Sequence, residues 1–295
     1  MNRIAPLFVF IMLLATPGTA QVSDLAKIEY TYFPQKESDN SFRRFKSSFT
    51  FPIKMGNEDS YLLPSLEYEN VHFKYKDVTP FAKGKDLDRY QSFTLGLGYT
   101  YKMNEEWRVG IQGGVMMASN FERGTVINED LLYTGLVVFI KDKNAEEVEK
   151  PWRLILGLHY STTSGRPFPL PVVNYYKQYS PRWSYTVGVP KSNWKFDIND
   201  KHALQAFVTL DGFYANIQDN REFLDSDKIA ENISMTIVLG GVGYEYSFTK
   251  HLVYYLYAGH TIMNDIRLRN SDKDDVLEVN KENTFYGRSG IKIKI

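Results

Sequence analysis

The chain has 295 residues, with 35 Lys+Arg balancing 35 Asp+Glu, and that zero net charge gives no basic surplus to attract nucleic acid. It contains no Cys, which excludes disulfides, thiolate metal sites and a cysteine nucleophile. A mean hydropathy of −0.36 excludes a bundle of membrane helices, but not a β-barrel, whose alternating strands are invisible to such an average.

Residues 1–20 read as a signal peptide. Arg3 supplies a positive start, Leu7 to Ala15 an apolar run too short to cross a bilayer, and Gly18-Thr19-Ala20 a small-residue cleavage site. Residues 21–295 then form one domain. Its segments alternate with a period of two, the mark of strands. From Phe45 to Met55, Phe45, Phe49, Phe51, Ile53 and Met55 share one face, with Arg44, Lys46, Ser48, Thr50 and Lys54 opposite. From Gln91 to Met103, Phe93, Leu95, Leu97, Tyr99, Tyr101 and Met103 face away from Ser92, Thr94, Gly96, Gly98, Thr100 and Lys102. Trp107 to Met117 opposes apolar residues to Arg108, Gly110, Gln112 and Gly114, and Trp152 to Ser161 opposes them to Arg153, Gly157, His159 and Ser161. Between Leu170 and His202, either one long strand runs through Pro181, or three short ones (170–178, 183–189, 193–199) leave Pro181 and Pro190 in turns. Ile233 to Phe248 changes phase around Gly240 and Gly241, and Leu252 to Met263 is apolar on both faces. Phe285 to Ile295 restores the alternation, with Arg288, Lys292 and Lys294 on its polar side. No convincing amphipathic helix occurs.

Connections alternate in length. Gly56 to Asp59, Asn104 to Glu106 and Thr249 to Lys250 are tight, whereas Lys76 to Arg89, Ser119 to Glu129, Gln218 to Ile229 and Asp265 to Glu282 are long and polar. Short turns on one rim and long loops on the other are the layout of an outer-membrane barrel. The expectation is therefore an all-β, up-and-down, transmembrane antiparallel barrel of fourteen strands, with twelve as the alternative, its termini periplasmic and its long loops extracellular. Two G-x-G-Y-x-Y motifs, Gly96 to Tyr101 and Gly241 to Tyr246, each precede a tight turn, which puts Tyr99, Tyr101, Tyr244 and Tyr246 in an aromatic girdle. A soluble sandwich is the competing fold.

The proline-flanked middle, YSTTSGRPFPLP (Tyr160 to Pro171) followed by WSYTVGVP (Trp183 to Pro190), together with the overall layout, resembles an uncharacterised family of Gram-negative outer-membrane β-barrels. The resemblance implies a bacterial outer-membrane location. Ile295 departs from the Phe or Trp that often ends such a chain.

On this layout the polar strand faces line a lumen. The candidates for solute selectivity there are Arg44, Lys46, Lys54, Glu67, Glu69, Lys102, Arg108, Arg153, Asp211, Arg288, Lys292 and Lys294, which either focus a field on a pore or pair and plug it. His159 and Ser161, two apart on one strand face, form a His-x-Ser pair like that of outer-membrane lipid hydrolases; their expected inward direction and the lack of an orienting acid argue against catalysis. Loop acids including Asp225, Asp227, Asp272, Asp274 and Asp275 lack a glycine-turned calcium loop, and no His spacing suits a metal. The expectation is a small porin-like channel or solute-binding barrel that is not an enzyme and holds no cofactor or metal. Its expected partners are membrane lipid, lipopolysaccharide, the barrel-assembly machinery and small solutes. The alternatives are a plugged adhesive barrel and a lipid hydrolase.

Overall fold

The computed structural model describes residues 24–34, 41–56, 59–74, 87–143, 148–161, 168–223 and 227–294; the segment read as a signal peptide and Asp225 lie outside them. Sixteen strand segments follow in chain order: β1 (Ala26–Pro34), β2 (Ser41–Thr50), β3 (Ile53–Lys54), β4 (Ser60–Lys74), β5 (Arg89–Lys102), β6 (Trp107–Ser119), β7 (Leu131–Lys143) and β8 (Trp152–Ser161). Then come β9 (Phe168–Ser180), β10 (Trp183–Val189), β11 (Lys191–Asp197), β12 (His202–Glu222), β13 (Ile229–Ser247), β14 (Leu252–Arg269), β15 (Asp275–Asn280) and β16 (Phe285–Ile293). Fourteen of them close into an antiparallel barrel. Closure is made by β1, which pairs with β2 on one side and with β16 on the other. The short β3 prolongs β2 against β4, and β15 folds back on the end of β14. The middle region takes the three-strand form, with Pro181 and Pro190 in turns.

The outer and inner faces differ along β5 as the alternation requires. Phe93, Leu95 and Leu97 point outward and are 42%, 56% and 55% exposed, while Ser92 is buried inside. The taller strands add a feature that alternation alone does not show. On β13, Ile233, Met235, Ile237 and Leu239 point inward and are fully buried. They join Phe33, Phe42, Val71, Phe73, Tyr90, Phe213, Ile266, Leu268 and Tyr286 in an apolar core that fills the long-loop end of the barrel. Its rings meet edge-on or tilted, as in Phe33–Tyr286 at 4.9 Å and Phe42–Phe73 at 5.1 Å. Many outward neighbours at this level are polar, among them Asn70, His72, Arg89, Thr236, Asp265 and Arg267, with Tyr32 and Phe285 exposed beside them. Below Gly240–Gly241 the polarity inverts: Glu245 points inward and Val242, Tyr244 and Tyr246 outward. The phase change in the sequence is thus a change of surroundings. The backbone alternation runs on unbroken past it, and the one register shift lies opposite, at Val238/Leu239.

Strand heights are uneven. β12, β13 and β14 run 21, 19 and 18 residues, whereas β10 and β11 have 7 each. The upper part of β12, still paired with β13 as far as Asn216, crosses to β6 on its other flank, where Asn216 pairs in parallel with Ser119. Asp130, buried at the 3-10 turn Asn128–Asp130, fixes this crossing. It accepts from Asn216 Nδ2 at 2.8 Å and from Gln218 Nε2 at 2.6 Å. Asn120 Oδ1 accepts from the Gln218 amide at 2.8 Å.

Candidate functional site: the lumen

Inward positions of the lower and middle strands place two charged groups in the lumen. In the upper group, Arg44 on β2 reaches across the barrel to Asp211 on β12 and donates two parallel hydrogen bonds, at 3.0 and 2.6 Å. The same guanidinium lies 3.2 Å from Glu69. Arg288 on β16 also pairs with Asp211 and stands 3.9 Å from Glu29. Lys46 bridges Glu67 at 2.7 Å and Glu69 at 3.8 Å, and Lys27 holds Glu29 at 3.4 Å. Arg44, Lys46, Lys27 and Arg288 thus match Glu29, Glu67, Glu69 and Asp211 one for one. Full pairing is what makes such burial tolerable, because an isolated charge in a dry interior is costly.

The lower group is cation-rich. Glu245 accepts from Lys195 at 2.9 Å, Lys292 at 3.0 Å and the Tyr257 hydroxyl at 2.9 Å. Lys191 lies beside them, and its Nζ donates to Gln205 Oε1 at 3.0 Å. It also sits 5.1 and 4.9 Å from the Phe207 and Tyr257 ring centres, so an amide and two ring faces hold it in place of a carboxylate.

Between the crossing part of β12 and the inner faces of β2 and β4 to β8 lies a cavity of about 320 Å³. Lys46, Glu67, Glu69, Gln112, Leu136, His159, Ser161, Asp211 and Tyr214 are among its lining residues. Ser161 is buried, and Leu156, Leu158 and Tyr160 take the outward face of the same strand. No carboxylate hydrogen-bonds to His159 among the described residues, so the pair lacks the orienting acid that a nucleophilic serine needs.

Of the residues singled out from sequence, Arg44, Lys46, Glu67, Glu69, Asp211 and Arg288 converge in the upper group and Lys292 joins the lower one. Lys54 sits at the short-turn rim, with Lys102, which pairs with Glu105 at 3.1 Å. Arg108 Nη1 donates to the Asp59 carbonyl at 3.3 Å there. Arg153 lies on β8 and Lys294 just past β16. Tyr99 and Tyr101 are exposed near the end of β5. Tyr244 and Tyr246 cluster with His202, whose Nδ1 is 2.6 Å from the Tyr244 hydroxyl. Lys27, Glu29, Lys191, Lys195 and Glu245 were missed. Three of them carry the same signal as Glu67 in Leu66-Glu67-Tyr68, a charge between two outward apolar residues: Ile28-Glu29-Tyr30, Trp194-Lys195-Phe196 and Tyr244-Glu245-Tyr246. No group of His, Asp and Glu suits a metal ion among the described residues.

The match to one family model runs over residues 20–294, the whole barrel; that model is described as a domain of unknown function (DUF6268). The chain belongs to this family. Membership in DUF6268 fixes kinship without an activity, and no curated protein matches the chain. Solved structures resemble it distantly. An outer-membrane channel from Pseudomonas putida F1 is 10% identical over 95% of this chain and 100% of its own, with a TM-score of 0.42. The NanC porin is 10% identical over 92% and 100%, with a TM-score of 0.38. LpxR from Salmonella typhimurium is 8% identical over 92% and 100%, with a TM-score of 0.37. At such distances no activity transfers, and the barrel of this DUF6268 chain rests on its own strand pairing.

Proposed function

We propose that the barrel spans a bacterial outer membrane, short-turn rim toward the periplasm, and that its mid-lumen cavity receives a small solute. The observation that carries this reading is the outward apolar belt around a charged interior. On β5 the belt runs from Phe93 to Met103. Ten residues at about 3.4 Å each, tilted about 40°, span about 26 Å, against about 25 Å for the apolar band of such barrels. A soluble sandwich would leave this belt in water at a large cost.

The apolar core and the crossing of β12 seal the long-loop end, so the reading is a solute-binding barrel and not an axial open pore. The test is a planar-bilayer recording of refolded protein whose gel mobility is heat-modifiable. The expected result is insertion without a steady open state. Long-lived ohmic steps would refute the seal, and failure to insert would refute the membrane reading. Catalysis by His159 and Ser161 is not favoured, because the carboxylates that share their cavity, Glu67, Glu69 and Asp211, are engaged by Lys46, Arg44 and Arg288, and none hydrogen-bonds to His159 among the described residues.

A further inference from the structure

The barrel wall has a gap on one side. The β9–β10 ladder stops at Val173↔Val189, and the β11–β12 ladder at Lys191↔Thr209. One last bond, from the Leu210 amide to the Pro190 carbonyl at 2.8 Å, closes the corner. Above it, Phe168–Val172 of β9 pair with β8 alone among the described residues. Asp211–Ala215 of β12 pair with β13 alone, and the next strand met on the other flank is β6. Below the corner, β9 and β12 are separated by three strand spacings, about 14 Å. Above it, no described strand fills that width.

Four observations place this gap inside the membrane and make it a built feature. First, β10 runs only from Trp183 to Val189. Six steps of about 3.4 Å at a tilt of about 40° climb about 16 Å, well short of the apolar band of about 25 Å. Second, the turn at its top, Val187 to Ser192, presents Val187 and Val189 outward, 59% and 41% exposed, with Lys191 turned to the lumen, whereas the rim turns carry Asn104-Glu105-Glu106 and Asn199-Asp200-Lys201. Apolar outward side chains at a turn suit hydrocarbon.

Third, the free edges are chemically closed. Pro169 and Pro171, two apart, turn the same way, and the face they present to the gap has no N–H to leave unpaired. On β12 the Gly212 amide donates to Asp211 Oδ1 at 2.8 Å, and the Gly212 carbonyl accepts from Arg44 at 3.4 Å. Backbone groups in lipid must be satisfied within the protein, and at Gly212 side chains do it. Fourth, Leu136, Val138, Leu170 and Val172 face the lumen behind the gap, with Gly157 and His159 of β8 between them, while Lys191 stands just inside its lower edge.

We propose that this gap is a lateral doorway. A single-chain amphiphile with a monoanionic head passes through it between the long-loop half of the bilayer and the mid-lumen cavity. Its chain lies against Leu136, Val138, Leu170 and Val172, and its head meets Lys191, the sill cation that pairs with no carboxylate among the described residues and lies beside the cation-rich lower group. This rests on the membrane reading above.

The experiment uses the full barrel in nanodiscs, with heat-modifiable mobility and protease protection checked on the same samples. The probe is 11-(dansylamino)undecanoate, with empty nanodiscs for background and dodecyltrimethylammonium as competitor of opposite charge. Saturable binding is expected, displaced by dodecanoate and not by the cation. Lys191→Met should weaken it at least tenfold, while the rim variant Lys54→Met leaves it unchanged. Because the chain has no native cysteine, a bulky maleimide can be placed on Val172→Cys or, as a control, on Thr249→Cys. The label at 172 should block probe entry and the label at 249 should not.

Equal affinity for Lys191→Met and the unmodified chain would overturn the head-group assignment. Blocking by the label at 249 alone would overturn the lateral route in favour of axial entry. A barrel that inserts but never binds the probe refutes the doorway and spares the membrane reading, whereas a chain that does not insert refutes both.

Discussion

Asp211→Asn tests the central ion-pair belt. The substitution preserves shape and leaves an oxygen to accept from the Gly212 amide, but it removes the negative charge between two guanidiniums. Arg44 is 3% exposed and keeps only Glu69, at 3.2 Å, while Arg288 keeps Glu29 at 3.9 Å. Removing one partner of a buried pair costs about 3–5 kcal/mol, and the surviving Glu69 contact argues for the lower end, about 3 kcal/mol. The assay is urea unfolding of refolded protein in lipid vesicles, followed by the fluorescence of its 4 Trp residues. A double-mutant cycle with Arg44→Met isolates the pair, and Arg44→Met combined with Asp211→Leu should recover most of the loss, because no charge is then left stranded. A loss under about 1 kcal/mol for Asp211→Asn, or strict additivity in the cycle, would show that water reaches this belt and that the lumen is not sealed above it.

Three further predictions follow from other parts of the barrel. A Cβ at Gly157 would lie 2.1 Å from the Val137 carbonyl, whereas one at Gly113 meets nothing within 4 Å. Gly157→Ala should therefore cost about 1–3 kcal/mol in the same urea assay and Gly113→Ala close to nothing; similar values would refute the packing of β7 on β8. At the short-turn rim, a hydrogen bond from the Lys141 ammonium, at 2.8 Å, holds the Glu106 carboxyl below the usual carboxylate range. A lowered value means that this contact is present at neutral pH and is lost as pH falls through it. A carboxyl NMR titration should place Glu106 below the usual carboxylate range, and Lys141→Met should raise it. Replacing Pro169 and Pro171 by Val gives the free β9 edge two donors, so self-association measured by light scattering should rise; an unchanged monomer would mean that the edge is covered.

Much of the wall was legible in the sequence because each stave makes its own local argument. Pro181 and Pro190 marked the turns that β9, β10 and β11 use, and Arg44, Lys46, Glu67 and Arg288 stood out as charges on the polar side of alternating runs. Glu245 was hidden inside a motif read for its tyrosines, although it obeys the same rule. The apolar core was illegible for a physical reason. A strand whose inward face turns from charged to apolar partway along looks like one that has lost its alternation, as Ile233 to Phe248 did. The crossing of β12 was beyond reach as well, since it depends on Ser119 meeting Asn216, 97 positions apart, with no pattern in either segment to announce it.

The polarity inversion also divides the molecule thermally. Above Gly240 the barrel is held by apolar side chains withdrawn from water, and that driving force weakens on cooling because of its heat-capacity signature. Below Gly240 the outward side chains rest in hydrocarbon whether or not the neighbouring strand is in place, so their contribution lacks that temperature dependence. Chilling therefore loosens the cap formed by β12, β13 and β14 before it loosens the belt, and the two ends of one continuous strand answer to different solvents.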